Sequence, residues 1–183
     1  MAYVLFTSGS TGRPKGVQVS QAALANVLLS FAERPGFGAG RTLLAVTTLS
    51  FDIAGLEIFL PLVTGGRLWL ATREIAADGA RLAETIARER IEVLQATPAT
   101  WRLLMATDFR APRGFQAWCG GEALPLDLAG ELVARGCELW NVYGPTETTI
   151  WSLIQRVPAV EAARSIGRAI TNTTVYIVDD AGN

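Results

Sequence analysis

The sequence contains no histidine and only two cysteines among its 183 residues. Without imidazole, Ser-His-Asp and Cys-His catalysis are excluded within this chain, and the commonest metal ligand is missing. Cys119 and Cys137 form no metal-ligand spacing. Two reduced thiols suit a cytosolic protein, so a cytoplasmic setting is expected. Charge of either sign is also scarce: 16 Lys+Arg against 17 Asp+Glu leave a net charge of −1. A chain so balanced offers no basic face to nucleic acid or to an acidic membrane surface. No apolar run approaches the roughly 20 residues of a membrane span, and the opening MAYVLFTSG lacks the charged segment that begins a signal peptide.

Half of the residues are apolar, enough for one domain with a sizeable core. Short β-prone runs at 3–7, 42–46, 67–71, 92–96, 116–120 and 138–143 alternate with helical patterns at 22–33, 53–63, 80–89, 99–106 and 126–134. The clearest helix follows Asp78, a capping residue, with Leu82, Ala83, Ile86 and Ala87 as its apolar stripe and Arg88 and Arg90 at its negative end. Strand–helix alternation predicts an α/β layered fold with a mostly parallel sheet flanked by helices. In such sheets ligands gather at the carboxyl ends of the strands. No repeat or low-complexity linker divides the chain, so residues 1–183 read as one unit. Both ends fall in mid-architecture: a core strand is expected right after Ala2, and another strand within TTVYIV just before the end. A longer parent is therefore expected.

The stretch LFTSGSTGRPKG, Leu5 to Gly16, holds more small and hydroxylated residues than a turn needs. Ser8, Gly9, Ser10, Thr11 and Gly12 offer hydroxyls and closely approachable backbone N–H groups, and Lys15 adds a point charge. Together they have the chemistry of a polyphosphate cradle. Taken alone, a Ser/Gly surface turn ahead of a hairpin is the better account of it. A P-loop does not: starting that pattern at Gly9 puts Pro14 where the second glycine must stand.

The stretch resembles the phosphate-binding loop of the adenylate-forming superfamily, which includes acyl-CoA synthetases and luciferases. The resemblance is closest to adenylation domains of nonribosomal peptide synthetases. SFDIAGLE at Ser50–Glu57, CGGEAL at Cys119–Leu124, NVYGPTETT at Asn141–Thr149 and SIGRAITNT at Ser165–Thr173 follow in that family's order across nearly the whole chain. The resemblance implies ATP and Mg²⁺ as cofactors and the AMP-binding large subdomain as the fold. Thr7, Ser8, Gly9, Ser10, Thr11, Gly12 and Lys15 would close over the β- and γ-phosphates. Gly120, Gly121 and Glu122 would wall the adenine slot, completed by Asn141, Tyr143 and Gly144. Thr146 would meet the α-phosphate and Glu147 would hold Mg²⁺, with Lys15, Thr146 and Glu147 as the catalytic set.

The same resemblance implies the reaction: an amino-acid carboxylate attacks the α-phosphorus of ATP, giving aminoacyl-AMP and pyrophosphate. The aminoacyl group then passes to the phosphopantetheine thiol of a peptidyl carrier protein. No protein nucleophile is needed, in keeping with the missing histidine. A lysine-bearing C-terminal subdomain would lie past residue 183, leaving this central part incomplete alone. The side-chain pocket maps to Asp52, Ile53, Leu56, Gln95, Trp118, Gly120, Val142, Ile150 and Trp151. Asp52 would pair with the substrate ammonium, although its place before an apolar helix also suits an N-cap. No other pocket position is charged, and the tryptophans take more volume than Gly120 leaves, so glycine is expected first and alanine second. One or both tryptophans facing the core would reopen the pocket, and Gln95 would then be free to bond a polar substrate. Gln21 stands where the family usually has His, and Ala169 where it usually has Pro. An acyl- or aryl-acid ligase of the same superfamily, and a folded but catalytically incomplete binding fragment, stay open as alternatives.

Overall fold

The computed structural model describes residues 1–7 and 13–181. The segment Ser8–Gly12, read above as part of the phosphate cradle, lies outside the described residues.

The main sheet has seven strands in the order β4-β3-β5-β6-β7-β8-β9. Strands β3 (Thr42–Ala45), β4 (Arg67–Leu70), β5 (Val93–Ala96), β6 (Gln116–Cys119) and β7 (Glu138–Tyr143) are parallel neighbours. Strands β8 (Leu153–Arg156) and β9 (Arg168–Ala169) add an antiparallel edge. Helices α1 (Gln21–Phe31), α2 (Ile53–Thr64), α3 (Arg73–Ala76), α4 (Gly79–Arg88), α5 (Pro98–Met105) and α6 (Leu126–Ala134) connect them. The α/β layered architecture with a mostly parallel sheet is as the sequence predicts.

Strand periodicity sorts the core into two layers. Leu44, Leu94, Ala96, Ala117, Cys119 and Leu139 face one side and pack with Leu82, Ile86, Trp101, Leu104, Leu128 and Leu132 of α4, α5 and α6. Their alternates Leu43, Ala45, Val93, Trp118, Trp140 and Val142 face the other side, against Val27, Leu28, Phe31, Leu56 and Leu60 of α1 and α2. Strands β3, β5 and β6 are buried along their whole length, as expected when helices cover both faces of a parallel sheet.

Local signals explain the helix starts. Asp78 Oδ1 accepts from the amides of Ala80 at 2.9 Å and Arg81 at 3.1 Å, capping α4. Ser20 accepts from the amide of Ala23 to cap α1, which begins at Gln21. Helix α1 stops two residues short of the predicted Glu33 and passes into a π-helical turn, Ala32–Gly36, that holds Pro35.

Two expectations are corrected. Strand β1 (Tyr3–Thr7) is not a strand of the main sheet but pairs antiparallel with β2 (Lys15–Val19) in a separate ribbon. Its residues alternate between half-buried (Tyr3, Leu5, Thr7) and exposed (Val4, Phe6), the pattern of a ribbon packed on one side. Residues 174–178 form no strand; Val175, Tyr176, Ile177 and Val178 are exposed and find no ladder. Both cysteines are free and buried. Among the described residues, no helix is long and apolar enough to cross a membrane.

Candidate functional site

After β3 the chain forms β4 on one side, then returns with β5 on the other, so the strand order reverses between β3 and β5. Open α/β sheets place their ligand crevices outside the carboxyl ends of the strands at such a reversal. Asp52 lies on the connection from β3 to α2, Gln95 near the end of β5, Gly120–Glu122 after β6, and Asn141–Gly144 at the end of β7. The fold thus brings segments distant in sequence to one edge.

Asp52 occupies the N-cap of α2 yet makes no side-chain cap hydrogen bond, unlike Asp78. Its Oδ2 is buried and, among the described residues, has no hydrogen-bond partner. The Tyr3 hydroxyl is also buried and unpartnered, and the Tyr3 ring lies against the first turns of α2, with Cε1 3.9 Å from the Cβ position at Gly55. Burial, and then the charge of Asp52, push the Tyr3 phenol up to about 12.

The remaining pocket positions form one cluster on the α1–α2 side. Leu56, Gln95, Trp118, Val142, Ile150 and Trp151 are all buried, and Ile53 packs against them. Trp118 faces the core: it meets Phe31 edge-on at 5.2 Å and donates its indole N–H to Gln116 Oε1. Trp151 reaches the surface of a cavity beside Val142. A Cβ built on Gly120 would stand 2.4 Å from the Val142 carbonyl oxygen and 2.7 Å from Trp151 Cη2. The space the missing side chain leaves is therefore taken by these neighbours. Gln95 is fully engaged: its amide nitrogen donates to Glu57 Oε1 at 3.1 Å and to the Ile53 carbonyl at 3.2 Å. Its Oε1 accepts from the Trp151 indole at 2.7 Å.

The cavity, of about 670 Å³, is lined by Gly121, Glu122, Asn141, Tyr143, Gly144 and Arg164 among others. Asn141 and Tyr143 have the parity of Leu139, so they sit on the α4–α6 side of β7, opposite Val142. Asn141 donates to the Ser165 carbonyl at 3.0 Å, which holds the segment after Arg164 over the strand end. Tyr143 is exposed, leaving its ring open to the cavity. A Cβ on Gly144 would lie 2.5 Å from the Ile150 carbonyl oxygen, so only glycine lets the two backbones pass this closely.

Beyond the cavity, Thr146–Thr148 form a 3-10 turn on which Glu147 is exposed. Strand β2, which begins with the exposed Lys15, packs beside this turn, and Thr7 is the register partner of Lys15. Thr149 and Ile150 follow with φ of 71° and 60°, in the left-handed region that costs β-branched residues on the order of 1–3 kcal/mol each. Such strain persists only where the surroundings fix it. Here the Trp151–Gln95 bond, the Thr148–Ser152 hydroxyl pair at 2.6 Å and the Ser152 amide on the Tyr143 carbonyl do so.

Two residues of this region carry no role in the sequence reading: Tyr3, and Glu57, which is fully buried. Glu57 Oε2 accepts from the amides of Val46 and Thr47, both at 3.0 Å, and Oε1 from Thr47 Oγ1 at 2.6 Å and from Gln95. Burial pushes its carboxyl up to about 7, against the pull of these four donors on the ionised form. A signal was available: Glu57 is the only charged residue between Asp52 and Arg67. Arg164 and Ile166 also line the cavity without having been singled out.

The family model of AMP-binding enzymes matches residues 1–183. A dimodular nonribosomal peptide synthase of Bacillus subtilis is 44% identical over 180 residues, covering 98% of this chain and 8% of that protein. Tyrocidine synthase 3 of Brevibacillus parabrevis is 38% identical over 184 residues, covering 98% of this chain and 3% of that protein. The crystal structure of holo-AB3403, a four-domain nonribosomal peptide synthetase bound to AMP and glycine, superposes with a TM-score of 0.91 at 41% identity, covering 99% of this chain and 13% of that one. An O-succinylbenzoate coenzyme A synthetase of Bacillus subtilis, in complex with ATP and magnesium ion, shares the fold at a TM-score of 0.88 and 24% identity, covering 98% of this chain and 38% of that one. This chain thus spans 13% or less of each of these three peptide synthetases and 38% of the coenzyme A synthetase. It belongs to the AMP-binding enzyme family, in the branch formed by the adenylation domains of nonribosomal peptide synthetases.

Proposed function

We infer that residues 1–183 are the central part of an adenylation domain that activates a small amino acid, glycine before alanine, as its acyl-adenylate. The observation that carries this reading is the Asp52 carboxylate: half-buried, uncapping, and with one oxygen buried and unpartnered. A buried carboxylate oxygen without a partner is costly unless a ligand supplies one, and an ammonium group does so. With Trp118 turned to the core, the restriction on volume comes from Leu56, Ile150 and Trp151, which favour a substrate with little or no side chain, and no further charge in the cluster serves a charged one.

In this reading the cavity at the ends of β6 and β7 takes the adenosine moiety. Gly121 and Gly144 let backbone approach the ring, and Tyr143 offers it an aromatic face. Lys15 neutralises the outer phosphates and Thr146 contacts the α-phosphate. The amino-acid carboxylate attacks the α-phosphorus, the bond to the bridging oxygen breaks, and pyrophosphate leaves with the electron pair. Catalysis rests on positioning and on charge stabilisation. Among the described residues no group of three or more acidic, histidine or cysteine side chains gathers to hold a metal. Glu147 alone on the turn beside β2 fits Mg²⁺, which takes one or two carboxylates and completes its shell with phosphate oxygens and water. When bound, Mg²⁺ draws charge from the phosphate oxygens. The aminoacyl group then passes to the phosphopantetheine thiol of a carrier protein in the parent synthetase, and two free buried thiols suit a cytoplasmic enzyme.

The test is amino-acid-dependent ATP–pyrophosphate exchange by the full-length synthetase over a panel of amino acids. Glycine and alanine are expected to support exchange best; a strong preference for Phe, Lys or Glu overturns the assignment.

A further inference from the structure

The ladder between β3 and β5 has two register pairs, Leu43 with Val93 and Leu44 with Leu94, and then stops. The amides of Val46 and Thr47, just past that point, turn instead to the carboxylate of Glu57 on α2. The same carboxylate holds Gln95 at the end of β5, and Gln95 holds both the first turn of α2, through the Ile53 carbonyl, and the Trp151 indole. One buried side chain thus ties together the end of β3, α2, β5 and the segment that carries Trp151. Buried backbone N–H groups must find acceptors, and here they find one that also reaches the pocket wall. Trp151 follows two left-handed β-branched residues, so its position depends on tethers rather than on relaxed backbone.

We propose that Glu57 is the positioning residue for substrate selectivity: it holds Gln95, and through Gln95 it fixes the Trp151 indole that limits side-chain volume. Glu57 is fully buried and does not line the cavity, so its influence travels through the chain Glu57–Gln95–Trp151. The proposal rests on the amino-acid-activating reading above, in which Trp151 walls the pocket.

The test is made in the full-length synthetase with Glu57→Gln, Trp151→Phe and the double variant. Glu57→Gln places an amide where two backbone N–H donors need acceptors, and Trp151→Phe keeps a ring but loses the donor to Gln95. Each single variant is expected to lower the preference for glycine over valine in kcat/KM about tenfold, the low end for a misplaced methylene-sized contact. In Glu57→Gln the KM for ATP should stay within about twofold, because Glu57 does not line the cavity assigned to adenosine. Groups acting through one path are not additive, so the double variant should be no less selective than the worse single one. Additive losses, unchanged selectivity in Glu57→Gln, or an equal fall in turnover for every amino acid would each overturn the proposal. Thr47→Val, which loses only the 2.6 Å hydroxyl bond, serves if Glu57→Gln does not fold. It should shift selectivity in the same direction by a smaller factor, and no shift overturns the proposal. Absence of exchange with any amino acid would instead sink the function reading. The relay is then judged by the ¹⁵N-indole resonance of Trp151, assigned with Trp151→Phe: it should move in the Glu57 or Thr47 variant, and an unmoved resonance refutes it.

Discussion

The two faces of the parallel strands are built from the same backbone but not from the same chemistry. Toward α4, α5 and α6 they present the apolar Leu44, Leu94, Ala96, Ala117, Cys119 and Leu139, with Asn141 and Tyr143 following at the end of β7. Toward α1 and α2 they present, beside apolar residues, Gln95 and Gln116, each bonded to an indole nitrogen, and a buried carboxylate closes the gap where β3 and β5 part. An apolar face is held by area and shape and tolerates substitution that keeps volume. A polar one is held by matched donors and acceptors and specifies a single arrangement. The first face holds the domain together, and the second sets what fits beside it.

The largest test of that division is Trp101→Ala on the apolar face. Trp101 is fully buried and packs edge-on against Phe115 at 6.4 Å. The change should cost about 3–5 kcal/mol in urea unfolding. Asp52→Ala should behave in the opposite way. It makes no cap hydrogen bond, so the unfolding midpoint should barely move, while kcat/KM for the amino acid in the full-length enzyme falls by about 2–5 kcal/mol equivalent through loss of the ammonium partner. A matching loss of stability would make Asp52 a capping residue instead.

The pH dependence of unfolding sharpens the contrast further. Glu57 has its carboxyl raised to about 7, so the folded state keeps a proton that the unfolded chain has already released above its ordinary value. Stability should therefore fall as pH rises from about 4.5 to about 7, by at most about 1.4 kcal/mol per pH unit. Glu57→Gln should flatten that part of the curve, whereas Leu94→Val on the apolar face should lower the curve without changing its slope. The smallest effect is expected at Asp78→Ala, which removes the two-bond cap of α4 and should cost about 1 kcal/mol in unfolding with no change in exchange activity.

Much of the architecture can be read from residues. The six strands at 3–7, 42–46, 67–71, 92–96, 116–120 and 138–143 appear within a residue of those limits, because short apolar runs bounded by Gly, Pro, Thr or charges leave few alternatives, although β4 (Arg67–Leu70) is an edge strand and not buried. The pattern of YVLFT gives a strand but not its partner, so its place in a separate ribbon with β2 stayed hidden. Residues 153–156 and 168–169 are strands only because each has a neighbour to pair with, and such pairing is a tertiary fact. At the site, motif order located Asp52, Gly121, Asn141 and Tyr143 around one edge. Side-chain direction was out of reach: nothing in QAWCG tells that Trp118 turns to Phe31 while Trp151, far along the chain, reaches the cavity. Glu57 stands out as a lone acid in IAGLEIFLPLV, but its role was out of reach because its four donors come from Val46 and Thr47 just after β3 and from Gln95 on β5.

Along strand β7 parity divides the side chains: Asn141 and Tyr143 lie on the α4–α6 side, Trp140 and Val142 in the cluster beneath α1 and α2, with Val142 also reaching the cavity. Substitutions at odd positions therefore act first on the cavity and those at even positions on the buried cluster, with Val142 the one position among Asn141, Val142 and Tyr143 that belongs to both. Insertions and deletions make no such division. Removing a single residue between Glu138 and Tyr143 rotates every later side chain to the opposite face, which exchanges the two sets at once. Length is thus the quantity that this segment has to inherit intact, and composition is the one it is free to vary.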